Sequence, residues 1–344
     1  MQSRPDNARL LVADIGGTNT RIALWEGDSL RKETVARFRN AEFPTLGDVL
    51  STYLRRHGRP PCDGACVAVA GPVHDGVGHL TNLDWAIDSQ SLALAAGVGT
   101  TPGDVAILND LQAQGYALGR LQPGTCLAVS DGQPAPDKPP DEPPDPRAGA
   151  QLVVGIGTGF NAAVVHETRS GRLVVASECG HMSLPARNES DFRFARHLES
   201  RHHGFCAVED VLSGRGLERA CQWIAVQSGS SDSRDAATIV ADAATGDARA
   251  SAALRLCCGL LGTVCGDLAL SHLPFGGIYL VGGVARAFQP YLQSHGFTEA
   301  FSNKGRFSTF MTRFSVSVVS DDFAALTGCA MHLKALRPQP RQFA

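Results

Sequence analysis

The chain has 344 residues, with 31 Lys and Arg against 34 Asp and Glu and a formal charge of -3, so it lacks the basic excess that nucleic acid demands and no nucleic-acid partner is expected. Hydrophobic residues make up 43% and charged residues 19%, which excludes a disordered chain, and at this length two domains are expected. No apolar run approaches the ~20 residues of a membrane helix, and the start, MQSRPDNAR, has no apolar signal region, so a cytoplasmic protein without membrane contact is expected.

Arg9 to Gly27 reads as an apolar strand reaching Asp14, a tight turn at Gly16 and Gly17, and an alternating strand from Arg21 to Trp25. A third strand is expected over Lys32 to Phe38, then a helix from Pro44 to His57 on the spacing of Leu46, Val49, Leu50 and Tyr53. Cys66 begins a short buried strand, and Ile87 to Ala96 reads as a helix capped by Asp88 or Ser89. The run from Asp104 is a strand leading directly into a helix over Leu111 to Leu118.

Seven of the 19 prolines then fall between Pro134 and Pro146, and 133–149 is expected to be a solvated surface insert. Beyond it, Gln151 to Ser177 repeats the opening: strand, glycine turn, strand, turn at Gly171, strand. A helix over Ser251 to Leu273, a strand over Gly277 to Gly283, a helix from Val284, a strand over Phe314 to Ser320 and a last helix from Asp322 follow. Two βββαβα-like units, each opened by a glycine hairpin, imply a duplicated α/β protein whose two domains flank a ligand-binding cleft. The smaller domain is expected to comprise 1–110 and 322–344, and the larger 111–321.

The ten cysteines are spread along the chain, with Cys257 and Cys258 adjacent in an apolar stretch, a pattern of reduced core thiols rather than a disulfide scaffold. Cys62 and Cys66 form half of a zinc pattern without its second half, and structural zinc is not expected.

In Asp14-Ile15-Gly16-Gly17-Thr18-Asn19, backbone N–H groups and a hydroxyl can converge on an anion. Gly155-Ile156-Gly157-Thr158-Gly159 ends the corresponding strand of the second half, so the two turns suit a single polyphosphate; neither has the Walker pattern nor opens a helix like a dinucleotide fingerprint. Asp14 is either a hydrogen-bonded turn residue or a holder of Mg²⁺ through water. Asn109 and Asp110 read as helix-capping residues, or as an amide and a carboxylate for adjacent sugar hydroxyls with Asp110 taking a proton. Glu178, His181 and Glu209, the last before a helix capped by Ser213, would together suit a polyhydroxylated ligand; a metal held by Glu178, His181 and Cys179 or Cys206 is the weaker alternative.

The ordered series LVADIGGTNTRIAL, TNLDWAI, LNDLQAQGYAL, GIGTGFN, ECGHMSLP, EDVLSGRGL, YLVGGVARAF, NKGRF and LTGCAMHL resembles the bacterial glucokinases, in the branch without the zinc-cysteine signature of repressor-type sugar kinases, from about Leu10 to Leu333. The resemblance implies the duplicated actin and hexokinase-like ATPase fold with mixed sheets, and ATP-dependent phosphorylation of glucose at the 6-hydroxyl, an entry to glycolysis, with ATP and Mg²⁺. It implies a first phosphate loop at Ala13, Asp14, Ile15, Gly16, Gly17 and Thr18, a second at Gly157, Thr158 and Gly159, and an adenosine segment including Gly282 and Gly283. Sugar contacts are implied at Asn109, Asp110, Glu178, His181 and Glu209, with Asp110 the catalytic base. Glycine is implied at two positions that carry Asn161 and Cys179, the first bearing on nucleotide affinity and the second on the sugar pocket. The alternative substrates are mannose, fructose or an amino sugar. A non-catalytic sugar sensor is not expected, because too few residues precede the first strand for a helix-turn-helix. A homodimer is expected.

Overall fold

A computed structural model of the chain describes residues 8–80, 83, 85–101, 103–133, 149–201 and 204–337, so the proline-rich stretch lies outside the described residues except at its ends. The chain divides into two units, 1–122 with 321–344 and 123–320.

The first unit is organised by β1 (Arg9–Ile15). Leu11, Ala13 and Ile15 enter one core and Leu10 and Val12 another, so the strand is apolar on both faces and belongs inside a sheet. β2 (Asn19–Glu26) returns antiparallel with Arg21 opposite Asp14. β3 (Ser29–Leu30) and β4 (Ala36–Arg39) both pair with β2. The single third strand expected over Lys32 to Phe38 is broken by a 3-10 turn at Lys32–Thr34. There the Thr34 hydroxyl donates to Arg31 O at 2.6 Å and accepts from the Leu24 N–H at 3.0 Å, taking over bonds that a continuous strand would make through its backbone.

After α1 (Leu46–Arg56), capped by Thr45, β5 (Gly64–Val69) runs parallel to β1. A small antiparallel sheet of β6 (Val73–His74), β7 (Val77–His79) and β8 (Ala86–Asp88) follows. Because β8 takes Ile87 into that sheet, the expected helix starts later, as α2 (Ser89–Ala96), with the Asp88 carboxylate accepting the N–H groups of Gln90 and Ser91 at 2.8 Å each. β9 (Val105–Asn109), parallel to β5, passes directly into α3 (Asp110–Ala117). The main sheet has the order β3-β2-β1-β5-β9, with β4 also on β2.

A C-terminal helix, Ala324–Leu336, covers the Leu10 and Val12 face with Leu326, Cys329, Ala330 and Leu333. It also packs on α3 so closely that a Cβ at Gly328 would collide with the Ala113 carbonyl. This packing places α3 in the first unit, which therefore runs to Gln122 instead of breaking at the expected 110.

The second unit holds β10 (Cys126–Ser130), β11 (Gln151–Ile156), β12 (Phe160–Thr168), β13 (Gly171–Ala176), β14 (Ile278–Val281) and β15 (Val316–Val319). Its sheet order is β10-β15-β14-β11-β12-β13. Read from the other edge, β13-β12-β11-β14-β15 reproduces β3-β2-β1-β5-β9 strand for strand, antiparallel through the hairpins and parallel thereafter. The duplication inferred from the glycine hairpins is thus present in the topology, with β10 an added antiparallel edge.

Contrary to the expectation that no apolar run reaches membrane-spanning length, helix Ala248–His272 is, by length and composition, long and apolar enough to cross a membrane, although Arg249, Arg255 and Asp267 interrupt its apolar run. Most of it is buried in the unit's core, and a Cβ at Gly262 would collide with Phe297 O. All ten cysteines are free and eight are buried. On this helix burial pushes the Cys258 thiol up to about 12.

Gly328→Ala tests the helix contact that completes the first unit. The added methyl must separate α3 from the C-terminal helix, and overpacking of this kind costs roughly 1–3 kcal/mol. Calorimetry should show a melting transition lowered by several degrees, and an unchanged transition would contradict the packing.

Candidate active site

In the first unit, the Gly16 N–H donates to Asn19 O at 2.9 Å and closes the β1–β2 turn. Asn40, only 1% exposed, clamps the turn: its Nδ2 donates to Gly16 O at 2.7 Å, its N–H to Thr18 O at 2.9 Å, and its Oδ1 accepts from the Thr20 hydroxyl at 2.8 Å. The sequence gives no local cue to Asn40, since an Asn after a short strand is ordinary turn chemistry. Of the residues that the resemblance assigns to the first phosphate loop, Ala13 and Ile15 are fully buried and paired on both sides in the sheet. Their side chains brace the turn from the core; its tip is Gly17 and the exposed Thr18.

Asp14 stands on the opposite face of β1 from Ala13 and accepts from Arg21 Nη2 at 2.7 Å, while Arg21 Nη1 donates to Asp322 O at 2.7 Å. The arginine therefore compensates the carboxylate at the end of this buried strand.

At the β9–α3 junction, Asn109 is the helix cap. Its Oδ1 accepts the Leu111 N–H at 2.9 Å, its own N–H donates to Gln112 Oε1 at 3.1 Å, and its Nδ2 donates to Gly71 O at 3.1 Å. Asp110 is the first helical residue, with Oδ1 accepting the Leu111 N–H at 2.8 Å. Desolvation and, second, the charge of Asp14 push the Asp110 carboxyl up to about 6, against the Leu111 N–H and the Asn109 side chain. A carboxylate titrating there takes a proton more readily than an ordinary aspartate.

In the second unit, the Gly157 N–H donates to Gly159 O at 2.9 Å and closes the β11–β12 turn, and Gly157 O accepts the Gly214 N–H at 3.0 Å. Gly214 opens helix Gly214–Gln227, whose cap is Ser213 as the sequence implied: its Oγ accepts the Gly216 N–H at 3.1 Å. Glu209 occupies the space that a side chain at Gly159 would need, so a Cβ there would collide with Oε2, and the Phe160 N–H donates to that same oxygen at 3.2 Å. Gly180 approaches from the other side: a Cβ there would collide with Phe160 O and lie 3.6 Å from the Glu209 Cβ.

Glu178 precedes the 3-10 turn Cys179–His181, and its carbonyl accepts the His181 N–H at 3.1 Å. Its carboxylate Oε2 accepts from Asn161 Nδ2 at 2.9 Å, and Asn161 Oδ1 accepts the Cys179 N–H at 3.1 Å. Asn161 is thus engaged with Glu178 and Cys179. Cys179 is buried, its thiol pushed up by desolvation. Gly282 has φ 104°, and a Cβ there would collide with Ile156 O, so the Gly282–Gly283 segment lies against β11 just ahead of the 157–159 turn. In the second unit Gly282 lies against Ile156 ahead of the 157–159 turn, Glu209 and Gly180 close on Phe160 just after it, and Glu178 is tied to β12 through Asn161, while the first unit gathers Asp14, Gly16, Gly17, Thr18, Asn109 and Asp110 at the ends of β1 and β9.

The glucokinase family model matches residues 11–336. A glucokinase of Caulobacter vibrioides (strain NA1000 / CB15N) is 32% identical over 335 residues, spanning 96% of each chain. The crystal structure of a glucokinase from an Antarctic psychrotroph is similar with a TM-score of 0.78 at 31% identity, covering 96% of this chain and 99% of that one. A ROK family glucokinase from Streptomyces griseus, solved with glucose and AMPPNP, has a TM-score of 0.62 at 18% identity over 94% and 98% of the two chains, a likeness of fold. These are sugar kinases of the actin-like ATPase fold, and the match extends over nearly the whole length. On that extent and identity the chain belongs to the glucokinase family, enzymes that transfer a phosphoryl group from ATP to glucose.

Proposed function

We propose that Asp110 is the general base that activates the glucose 6-hydroxyl, and that Asn109, Asp110, Glu178, His181 and Glu209 hold the sugar. The observation that carries this reading is the Asp110 carboxyl raised to about 6 by desolvation and by Asp14. In the reaction a bond forms between the sugar O6 and the γ-phosphorus as the bond from that phosphorus to the β,γ-bridging oxygen breaks, and the hydroxyl proton passes to Asp110.

Gly16 and Gly157 use their N–H groups to close their turns, so the phosphate donors in this reading are Gly17, Thr18, Thr158 and Gly159. Gly282 and Gly283 form the adenosine side. The donor set suits Mg²⁺, which needs only one or two carboxylates beside phosphate oxygens. Asp14, held at Oδ2 by Arg21, would hold it through water, and when bound it neutralises phosphate charge. Eight buried free thiols support a reducing, cytoplasmic setting.

Asp110→Asn should lower kcat at least ~100-fold while glucose KM changes far less, since the hydrogen-bonding head group remains and the base is lost. A near-normal kcat would defeat the assignment. The same variant makes a stability prediction. With Asp110 at about 6 in the fold and 3.8 when unfolded, the native state keeps a proton that the unfolded chain releases between those values. Wild-type stability therefore falls as pH rises through that window, and Asp110→Asn escapes the loss. Its melting temperature should exceed that of the wild type at pH 7.5 and converge with it near pH 4, and wild-type kcat/KM should rise through about pH 6 where the variant has no inflection.

Gly159→Ala should displace Glu209 and raise the glucose Kd about tenfold, the effect of losing one hydrogen bond to a charged group. Calorimetric titration checks it, and an unchanged Kd would remove Glu209 from the sugar contacts. Coupled ADP release across glucose, mannose, fructose and glucosamine should give glucose the highest kcat/KM.

A further inference from the structure

The proposed sugar contacts do not all stand on equally rigid supports. Glu209 is wedged between Gly159 and Gly180. Glu178 has no such enclosure: it is exposed, it follows the end of β13, and a free glutamate side chain there would sample several rotamers. One residue opposes that freedom. Asn161 lies on β12, paired with Gly155 of the neighbouring strand, and so projects from a fixed backbone.

Its amide orientation follows from its partners. Oδ1 accepts the N–H of Cys179 at 3.1 Å and that of Ala162 at 2.9 Å, and both are donors with no accepting capacity. The Ser177 hydroxyl and the Cys179 thiol also approach this oxygen, at 3.2 and 3.6 Å. The other end of the amide must then be Nδ2, and it donates to Glu178 Oε2 at 2.9 Å. One side chain thus ties both the backbone of the Cys179–His181 turn and the carboxylate that precedes it to the central sheet.

We propose that Asn161 is a positioning residue for glucose: it holds Glu178 by Oε2 in one rotamer, so that Oε1 is presented to a sugar hydroxyl. The inference rests on Glu178 being a sugar contact. It assigns Asn161 no contact with the reacting atoms, so its loss should weaken sugar binding and leave the chemical step almost intact.

A double-mutant cycle of Asn161→Ala and Glu178→Ala, read as glucose KM and kcat with melting curves for each protein, tests it. Asn161→Ala should raise KM about tenfold, the usual effect of removing a hydrogen bond to a charged group, with kcat within about twofold. In the Glu178→Ala background the same substitution should change KM by less than about twofold, because the group it acts through is gone. Asn161→Asp keeps the oxygen that accepts from Cys179 and Ala162 but faces Glu178 with a negative charge. It should raise KM at least as much as Ala, lose that effect when Glu178 is Ala, and carry the cycle if Asn161→Ala does not fold. A KM unchanged by Asn161→Ala or Asn161→Asp while Glu178→Ala raises it overturns the positioning role, as does an equal effect in both backgrounds. No effect from Glu178→Ala itself removes Glu178 from the sugar contacts, and this inference with it.

Discussion

In the second unit a carboxylate stands where a methyl group would otherwise be. Glu209 reaches the β11–β12 turn only because Gly159 has no side chain, and the next peptide is pressed from behind by Gly180. Phe160 is therefore held between two glycines, its N–H on the Glu209 carboxylate and its carbonyl against Gly180. Glycine here supplies closeness of approach: neither Gly159 nor Gly180 is among the positive-φ residues. The β11–β12 turn and the Glu209 and Gly180 segments consequently meet at one residue, and a shift of either moves the other. In the proposed phosphoryl transfer, whose catalysis is mostly alignment, that shared residue couples the two proposed halves of the second unit's site.

The first unit reaches a comparable result with charge. Arg21 bonds the Asp14 carboxylate, and the negative charge of Asp14 still raises Asp110. Asn109 serves as the helix cap, so Asp110 occupies the first turn of α3 without having to supply that function. Two adjacent polar residues with nearly identical cap preferences are thereby given different tasks by their backbone positions.

Much of this was legible along the chain because it is local. The paired glycine hairpins, the strand running into a helix at Asn109 and Asp110, and the Ser213 cap each depend on residues within a few positions of one another. What was not legible depends on distant partners. The clamp of Asn40 on Gly16 and the wedge of Glu209 at Gly159 are long-range contacts with no periodic signature. Asn161 looked like an intruder in a glycine turn because its partners, Glu178 and Cys179, lie a strand and a half away. The Lys32–Phe38 strand failed for a related reason: a threonine hydroxyl competed with the ladder, and alternation of apolar residues does not report that competition. The expected break at 110 placed α3 in the larger domain, although its packing partner is the C-terminal helix.

That C-terminal helix has a consequence for how the protein is made. The strand β1 lies at the start of the chain, yet its Ala13 carbonyl accepts from the Cys329 thiol at 3.6 Å, the Gly27 carbonyl accepts from Lys334 Nζ at 3.0 Å, and the Leu10 and Val12 face is sealed by Leu326, Ala330 and Leu333. The second unit, 123–320, is inserted between these partners and has a core of its own. On the ribosome β1 must therefore wait for the whole inserted unit to be translated before its covering helix emerges, roughly 10–40 s at about 5–20 residues per second. Until then the Leu10 and Val12 sheet face lacks its covering helix, so the later-translated unit is the one that can finish folding first.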